Sequence, residues 1–192
     1  MVVHPDGRSE TWDLPQRADG KPWQPSCLTF DAGGILWIGT NSGILFFDTK
    51  QQTFTELLPA GSREKLANAR INCLYYDRDN SMWIGTGNGL NRFDPVDSRY
   101  ETVLLAGKES SGASISVSAL CQSPDGALFA ATPGAIYMLA ADGSNTQRVA
   151  ELAGTSVTFM ISDSSGTLWG ATGEGLLKMR RSQLPISHFT ST

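Results

Sequence analysis

The amino-acid sequence predicts an all-β fold, a β-propeller segment of about four four-stranded blades plus the end of a preceding blade. Three observations carry that reading: one phrase occurs four times, its period matches a propeller blade, and turn residues punctuate every copy. The phrase runs Asp31-Ala-Gly-Gly-Ile-Leu-Trp37-Ile-Gly-Thr40, then Asp77-Arg-Asp-Asn-Ser-Met-Trp83-Ile-Gly-Thr86. It returns as Ser123-Pro-Asp-Gly-Ala-Leu-Phe129-Ala-Ala-Thr132 and Asp163-Ser-Ser-Gly-Thr-Leu-Trp169-Gly-Ala-Thr172. The aromatic anchors lie 46, 46 and 40 residues apart, and a period of roughly 40–45 residues belongs to four-stranded propeller blades. Helical repeats would place an apolar residue every three to four positions; these segments alternate or run apolar in short stretches.

Taken in chain order, each copy reads as paired hairpins. A first strand such as Cys73–Tyr76 passes through a turn into a second strand such as Ser81–Thr86. Gly34, Asn80, Gly126 and Gly166 share one position in that turn, as a positive φ that excludes other side chains would require. The turns Thr40–Gly43, Thr86–Gly89, Thr132–Ala135 and Thr172–Gly175 then lead into apolar third strands such as Ile44–Phe47 and Leu90–Phe93. Fourth strands are expected at Thr53–Leu58, Tyr100–Leu105, Thr146–Leu152 and, with a weaker pattern, Ile186–Thr190. The repeats thus occupy residues 25–60, 71–105, 117–152 and 157–190 of one partial propeller domain, 1–192. Residues 1–20 read as the third-to-fourth strand passage of a blade whose own Trp-Ile-Gly-Thr phrase is missing upstream. A count that is out of phase at its ends is expected of a fragment of a longer propeller, because an open stack exposes apolar faces and strand edges.

In the second strand, Trp37, Trp83, Phe129 and Trp169 stand two positions before Gly39, Gly85, Ala131 and Ala171, hence on the same face. A large ring beside a small residue lets neighbouring sheets nest, and a buried aromatic side chain brings roughly 150–250 Å² of apolar surface. These four rings are the expected structural anchors between blades.

Composition narrows the function classes. The formal net charge is −4, with 15 Lys and Arg against 19 Asp and Glu, and no block of like charges forms the footprint of a nucleic-acid or anionic-membrane partner. No stretch is long and apolar enough to span a bilayer, and Met1–Gly7 lacks the basic and apolar regions of a secretory leader. Three cysteines cannot all pair, and none forms a CxxC. Cys27 and Cys73 hold equivalent first-strand places and Cys121 lies two residues further on, so all three should face the same side of their sheets as small apolar packing.

No constellation for catalysis emerges. The two histidines, His4 and His188, stand at opposite ends of the chain, so neither a triad nor a histidine-rich metal site is available. Asp77-Arg-Asp79-Asn-Ser81 begins like a calcium loop, but Met82 and Asn88 stand where that loop needs Gly and a bidentate Glu. Asp31, Asp77 and Asp163 read instead as acceptors of backbone N–H groups inside the first turn. Asp163 lies three residues before Gly166, one too many for a sialidase Asp box. Gly85–Gly89 lacks the Lys and Ser or Thr of a phosphate loop and reads as a hairpin. No catalytic residue, metal ligand or cofactor is assigned.

A ligand, if one binds, should meet the loops that emerge on one face of the stacked blades. These are the second-to-third turns and the blade connections, which carry Arg63, Lys65, Asn68, Arg70, Lys108 and Glu109. Asn41, Ser42, Arg70, Asn88 and Glu174 are the candidate ligand-binding residues. The longest connection, Pro59–Arg70, contains Ser62-x-Glu64-Lys65, a pattern for one short helical turn.

The phrase Asp-x-x-Gly-x-Leu-Trp-Ile-Gly-Thr-x-x-Gly-Leu resembles the two-component regulator propeller repeat, best at residues 77–90 and 163–176, with Leu66–Leu74 similar to its usual lead-in. The resemblance implies a ligand-sensing periplasmic module of a bacterial sensor, upstream of a histidine kinase, hybrid kinase or diguanylate cyclase. No kinase phosphoacceptor helix or GGDEF phrase is present in this sequence. The third copy departs from the pattern, with Phe129-Ala-Ala for Trp-Ile-Gly and Ala135 for Gly. The resulting expectation is a non-catalytic sensor propeller that binds a small ligand or a protein, with self-association through open blade edges. A protein-binding scaffold, or a propeller lyase or hydrolase, is the alternative.

Overall fold

Short apolar segments separated by turns that demand a positive φ pair with their immediate neighbours, and the chain folds back hairpin after hairpin. The computed structural model describes residues 2–3, 9–56, 66–94, 99–105, 115–140, 142–152 and 154–180. These form strands throughout, with no helix among the described residues. β1 (Val2–Val3) pairs with β2 (Ser9–Glu10). Blade 1 holds β3 (Pro25–Phe30), β4 (Ile35–Thr40), β5 (Gly43–Asp48) and β6 (Thr53–Glu56). Blade 2 holds β7 (Ile71–Tyr76), β8 (Met82–Thr86), β9 (Gly89–Asp94) and β10 (Arg99–Val103). Blade 3 holds β11 (Ala119–Gln122), β12 (Leu128–Thr132), β13 (Ala135–Leu139) and β14 (Thr146–Glu151). Blade 4 holds β15 (Val157–Ser162), β16 (Leu168–Thr172) and β17 (Gly175–Met179). All pairings are antiparallel and sequential, the meander of a four-bladed β-propeller assembly.

The first strands β3, β7, β11 and β15 pack on one another in turn and so lie innermost. Each blade has a front face, turned to the next blade, and a back face, turned to the previous one. Trp37 and Ile44 of the blade 1 front meet Leu74, Ile84 and Phe93 of the blade 2 back. Trp83 and Leu90 of the blade 2 front meet Leu120, Leu128, Ala130 and Tyr137 of blade 3. Phe129 and Cys121 of the blade 3 front meet Met160, Leu168 and Met179 of blade 4. On the back of blade 1, Trp12, Leu14 and Trp23 cover Ile38, Leu45 and Phe47, with Trp12 and Phe47 ring centroids 5.2 Å apart. The segment after β2 therefore packs where a preceding blade would contribute its outer strands.

The anchors are not equivalent. Trp37, Trp83 and Phe129 are buried, whereas Trp169 is only partly so, because no further blade lies on the blade 4 front among the described residues. The shared first-turn position does carry the required backbone: φ is 84° at Gly34, 62° at Asn80, 92° at Gly126 and 80° at Gly166. The second turn differs in one blade. Gly43, Gly89 and Gly175 have positive φ, but in blade 3 it is Gly134 (92°) and not Ala135 that turns the chain, since a Cβ disfavours that region. The strand expected at Ile186–Thr190, the end of the strand expected at Thr53–Leu58, and the helical turn at Ser62–Lys65 fall outside the described residues, as do His4, His188, Arg63, Lys65, Lys108 and Glu109.

Candidate functional site

One face of the propeller is closed by clamps. The Asp31, Asp77 and Asp163 carboxylates each use Oδ1 to accept backbone N–H groups within their turn, from Ile35 (3.0 Å), Ser81 (2.8 Å) and Thr167 (3.0 Å). The other oxygen accepts the indole Nε1–H six residues on: Trp37 at 2.9 Å, Trp83 at 2.6 Å and Trp169 at 2.9 Å. Only the backbone half was expected; the indole half is new. In blade 3 the ring is Phe129, which has no N–H, and Ser123 replaces the aspartate, its hydroxyl within hydrogen-bonding reach of both the Ala127 carbonyl (3.1 Å) and the Asp125 carboxylate. The coupling was visible in the sequence, for Asp precedes each Trp and Ser precedes the Phe.

A second device ties blade to blade. Residues at or just before the head of the first strands offer a side-chain donor to the backbone at the same place in the next blade. Ser26 Oγ donates to the Ile71 carbonyl (2.7 Å), Asn72 Nδ2 to that of Val117 (3.0 Å) and Ser118 Oγ to that of Val157 (2.6 Å). Beside these links the cysteines fill space. Cys27 and Cys73 pair across the sheet with Gly39 and Gly85. A Cβ on either glycine would collide with the thiol sulfur and stand 2.7 Å from Ile71 Cγ2 or 2.9 Å from Val117 Cγ1. Blade 3 meets the same constraint with Ala119 opposite Ala131. Cys121 points to the same side, in the core between blades 3 and 4. Burial raises all three thiol pKa values, that of Cys121 to about 12, so these thiols pack rather than react.

The opposite face bears the loops, and it is built to be rigid. Thr40, Thr86 and Thr172 donate their hydroxyls to the carbonyls of Gly43 (2.8 Å), Gly89 (2.9 Å) and Gly175 (2.8 Å). The same oxygens accept the N–H of Ser42, Asn88 and Glu174 at 3.0, 3.1 and 3.2 Å. Each tip thus stands on a hydroxyl locked on both sides. The linkers lean on these tips. Gly87 N–H donates to the Arg70 carbonyl (3.0 Å), and Leu152 N–H to that of Gly134 (2.7 Å).

The five candidate residues all lie on this face, spread over blades 1, 2 and 4 rather than gathered into one site. Asn41 is engaged with Gln24: its side-chain oxygen accepts the Gln24 N–H and its Nδ2 donates to Gln24 Oε1, both at 3.3 Å. Ser42 Oγ accepts from the Arg17 guanidinium, which also pairs with Asp19 at 2.8 Å and lies 5.0 Å from the centroid of Trp23. Arg70 and Asn88 are exposed on blade 2. Glu174 accepts from Thr155 Oγ1 (3.1 Å) and lines a cleft of about 360 Å³ together with Glu151, Leu152, Thr155, Thr172 and Leu176. The blade 3–blade 4 linker residues of this cleft were not singled out in the sequence, because their meeting with Glu174 spans nineteen positions. The cleft offers two carboxylates, two hydroxyls and apolar walls, a surface for hydrogen-bond donors. No group of His, Cys, Asp or Glu among the described residues could hold a metal ion.

Residues 65–88 match the family described as a two component regulator propeller, from the linker through β7 and β8 to the turn tip at Asn88. No curated protein matches the chain in sequence. Among solved structures, the extracellular domain of a protein described as the hybrid two component system BT4673 from B. thetaiotaomicron superposes with a TM-score of 0.75 at 20% identity, covering 94% of this chain and 24% of that one. The corresponding domain of BT3049 from the same organism gives 0.63 at 18% identity, over 82% of this chain and 22% of that one. Virginiamycin B lyase from Staphylococcus aureus, with quinupristin, gives 0.62 at 18% identity, over 82% and 56%. At these identities the likeness is one of fold, and the chain spans about a quarter of the sensor structures.

Proposed function

We propose that the chain is a non-catalytic sensor module of a bacterial signal-transduction protein, working on the extracytoplasmic side of the membrane, with its ligand held on the loop face. The observation that carries this reading is the locked row of turns and linkers on that face, in a chain bearing the two component regulator propeller repeat. The extracellular sensor domains among the similar structures support it. Clamps and stitches make each blade stiff, while the linkers between blades are where a bound molecule would touch two blades together. A ligand that fits one inter-blade arrangement better than another shifts the stack toward it, by no more than its difference in affinity for the two. Side chains such as Asn88, Arg70 and Glu174 then supply recognition, as loops on rigid scaffolds commonly do.

The test is a thermal-shift screen of the 1–192 chain against soluble sugars, amino acids and organic acids, followed by Asn88→Ala and Glu174→Ala. The expected result is a stabilising compound, recovered chemically intact, whose effect one of these substitutions removes. Turnover of the compound, or stabilisation indifferent to both changes, overturns the reading.

A further inference from the structure

The loop face does not serve its blades alike, and blade 2 leaves a cation unspent. Gln24 and Arg70 hold equivalent places, each immediately before the first strand of its blade. Each gives its carbonyl to the turn tip of that blade, Gln24 to the Asn41 N–H (3.1 Å) and Arg70 to the Gly87 N–H (3.0 Å). In blade 1 the tip also grips the linker side chain, for Asn41 Oδ1 accepts the Gln24 N–H and Asn41 Nδ2 donates to Gln24 Oε1. In blade 2 the tip residue is glycine and has no side chain to grip with. Asn68 takes over the backbone half, its Oδ1 accepting the Arg70 N–H at 2.8 Å. The exposed Arg70 guanidinium meets no acceptor among the described residues. Neither backbone nor crowding demands Gly87: its φ lies outside the left-handed region, and a Cβ there would meet Asn68 Oδ1 at 3.5 Å and Arg70 Cβ at 3.7 Å, ordinary contact distances. What the glycine does is leave Arg70 ungripped.

Two further donors adjoin it. With Asn68 Oδ1 fixed by the Arg70 backbone, its Nδ2 keeps both hydrogens to give. From the next linker, Ser116 Oγ accepts Asn72 Nδ2 at 3.0 Å, so the hydrogen of that hydroxyl is unspent as well. Backbone bonds hold this second linker against blade 2, from Asn72 Nδ2 to the Val117 carbonyl (3.0 Å) and from the Val117 N–H to the Thr86 carbonyl (3.0 Å). The junction is therefore anchored on both sides, and what it has left to offer is donors: a guanidinium, an amide and a hydroxyl.

We propose that this junction is an anion subsite of the loop face and takes a carboxylate. One fixed positive charge matches one negative charge, whereas a phosphate monoester carries about −1.5 to −2 at pH 7 and would have a single cation to meet it. The guanidinium fork gives a carboxylate two parallel N–H···O bonds of the strong, charge-assisted kind. Asn68 and Ser116 then donate to the remaining lone pairs. A ligand seated there touches the linkers on both sides of blade 2, and in this the site depends on the sensor module holding its ligand on the loop face, as proposed above.

Sodium acetate is the minimal probe, titrated into the isotope-labelled chain at constant ionic strength and followed by nitrogen–proton correlation NMR, with acetamide as its neutral counterpart. The Arg70 Nε–H and Asn68 Nδ2 signals should shift saturably with acetate and stay still with acetamide. The guanidinium of Arg92, held by Ser81 and laid over Trp83, should respond to neither. Arg70→Gln should weaken the Asn68 response by about tenfold or more. Arg70→Lys keeps the charge and loses the fork, and should weaken it several-fold; full rescue by lysine would reduce the site to a surface potential and overturn it. Equal shifts with acetamide, tighter binding of inorganic phosphate, or no saturable shift at Arg70 would overturn it too. Failure of the sensor function shows differently. A stabilising compound without a carboxylate would leave that function intact and remove this site from it, whereas acetate bound at Arg70 with no stabilising compound in the thermal-shift screen would leave the site and remove the function.

Discussion

Blades 2 and 4 close their first hairpin with the same atoms and meet different surroundings. In each, an aspartate holds the turn through Oδ1 and the indole through Oδ2, and a basic residue from the third strand lies over the ring. Arg92 stands 5.8 Å from the Trp83 centroid and Lys178 stands 4.4 Å from that of Trp169. Yet Trp83 is fully buried under blade 3, while Trp169 has one side open. The clamp is therefore a local device that works with or without a neighbour, and burial is what the neighbour adds. The same hydrogen bond should matter more where water cannot replace it.

The largest expected effect follows from that difference. Asp77→Ala leaves the buried Trp83 Nε1–H and the Ser81 N–H without their acceptor, and should cost about 2–4 kcal/mol in urea unfolding. Asp163→Ala, in the open blade, should cost clearly less; equal losses would break the comparison. The pair Asp77→Ser with Trp83→Phe installs the blade 3 solution of Ser123 and Phe129 and should recover most of the loss.

Gly85→Ala comes next. Its Cβ would enter the Cys73 sulfur and crowd Val117, an overpacking cost of about 1–3 kcal/mol. Adding Cys73→Ala should return part of it, as Ala119 opposite Ala131 does in blade 3. The matching position of blade 4, Ala171, is exposed, and Ala171→Gly should change stability by less than about 1 kcal/mol.

Acid should sharpen the contrast further. Hydrogen bonds from the Ser165 hydroxyl first, then from the Trp169 indole and the backbone N–H groups of Thr167 and Ser165, lower the Asp163 pKa from 3.8 to about 2. A carboxylate whose pKa is depressed by folding contributes its stability above its unfolded pKa and loses it as pH falls toward the folded one. Between about pH 4 and pH 2 the parent chain should therefore lose stability more steeply than Asp163→Asn, read from urea midpoints along a pH series. The smallest signal is chemical. Cys73 and Cys121, both with burial-raised pKa values, should resist a thiol reagent at about pH 8 until the chain is unfolded, whereas labelling of the native protein at free-thiol rates would show that the blade 2–3 and 3–4 interfaces open.

Much of this architecture was legible because it is local. Positive φ at Gly34, Asn80, Gly126 and Gly166 follows from residues that tolerate it, and the pairing of Asp with Trp and Ser with Phe lies within six positions. The loop-face candidates were less legible. Asn41 and Ser42 are held by Gln24 and Arg17, seventeen and twenty-five residues away, so side chains that looked available are braces between a turn and the incoming chain. Glu174 instead gained a cleft through Thr155 and Glu151, partners that no spacing announced.

The sequence by itself determined the strands, their turns and the clamp that orients each indole anchor, since every one of these depends on backbone preference and hydrogen bonds within a few residues. Only the tertiary structure decided which faces are covered: Trp83 and Trp169 carry the same local instructions, but removing a ring from water takes an apolar surface supplied by another blade, some forty residues further along.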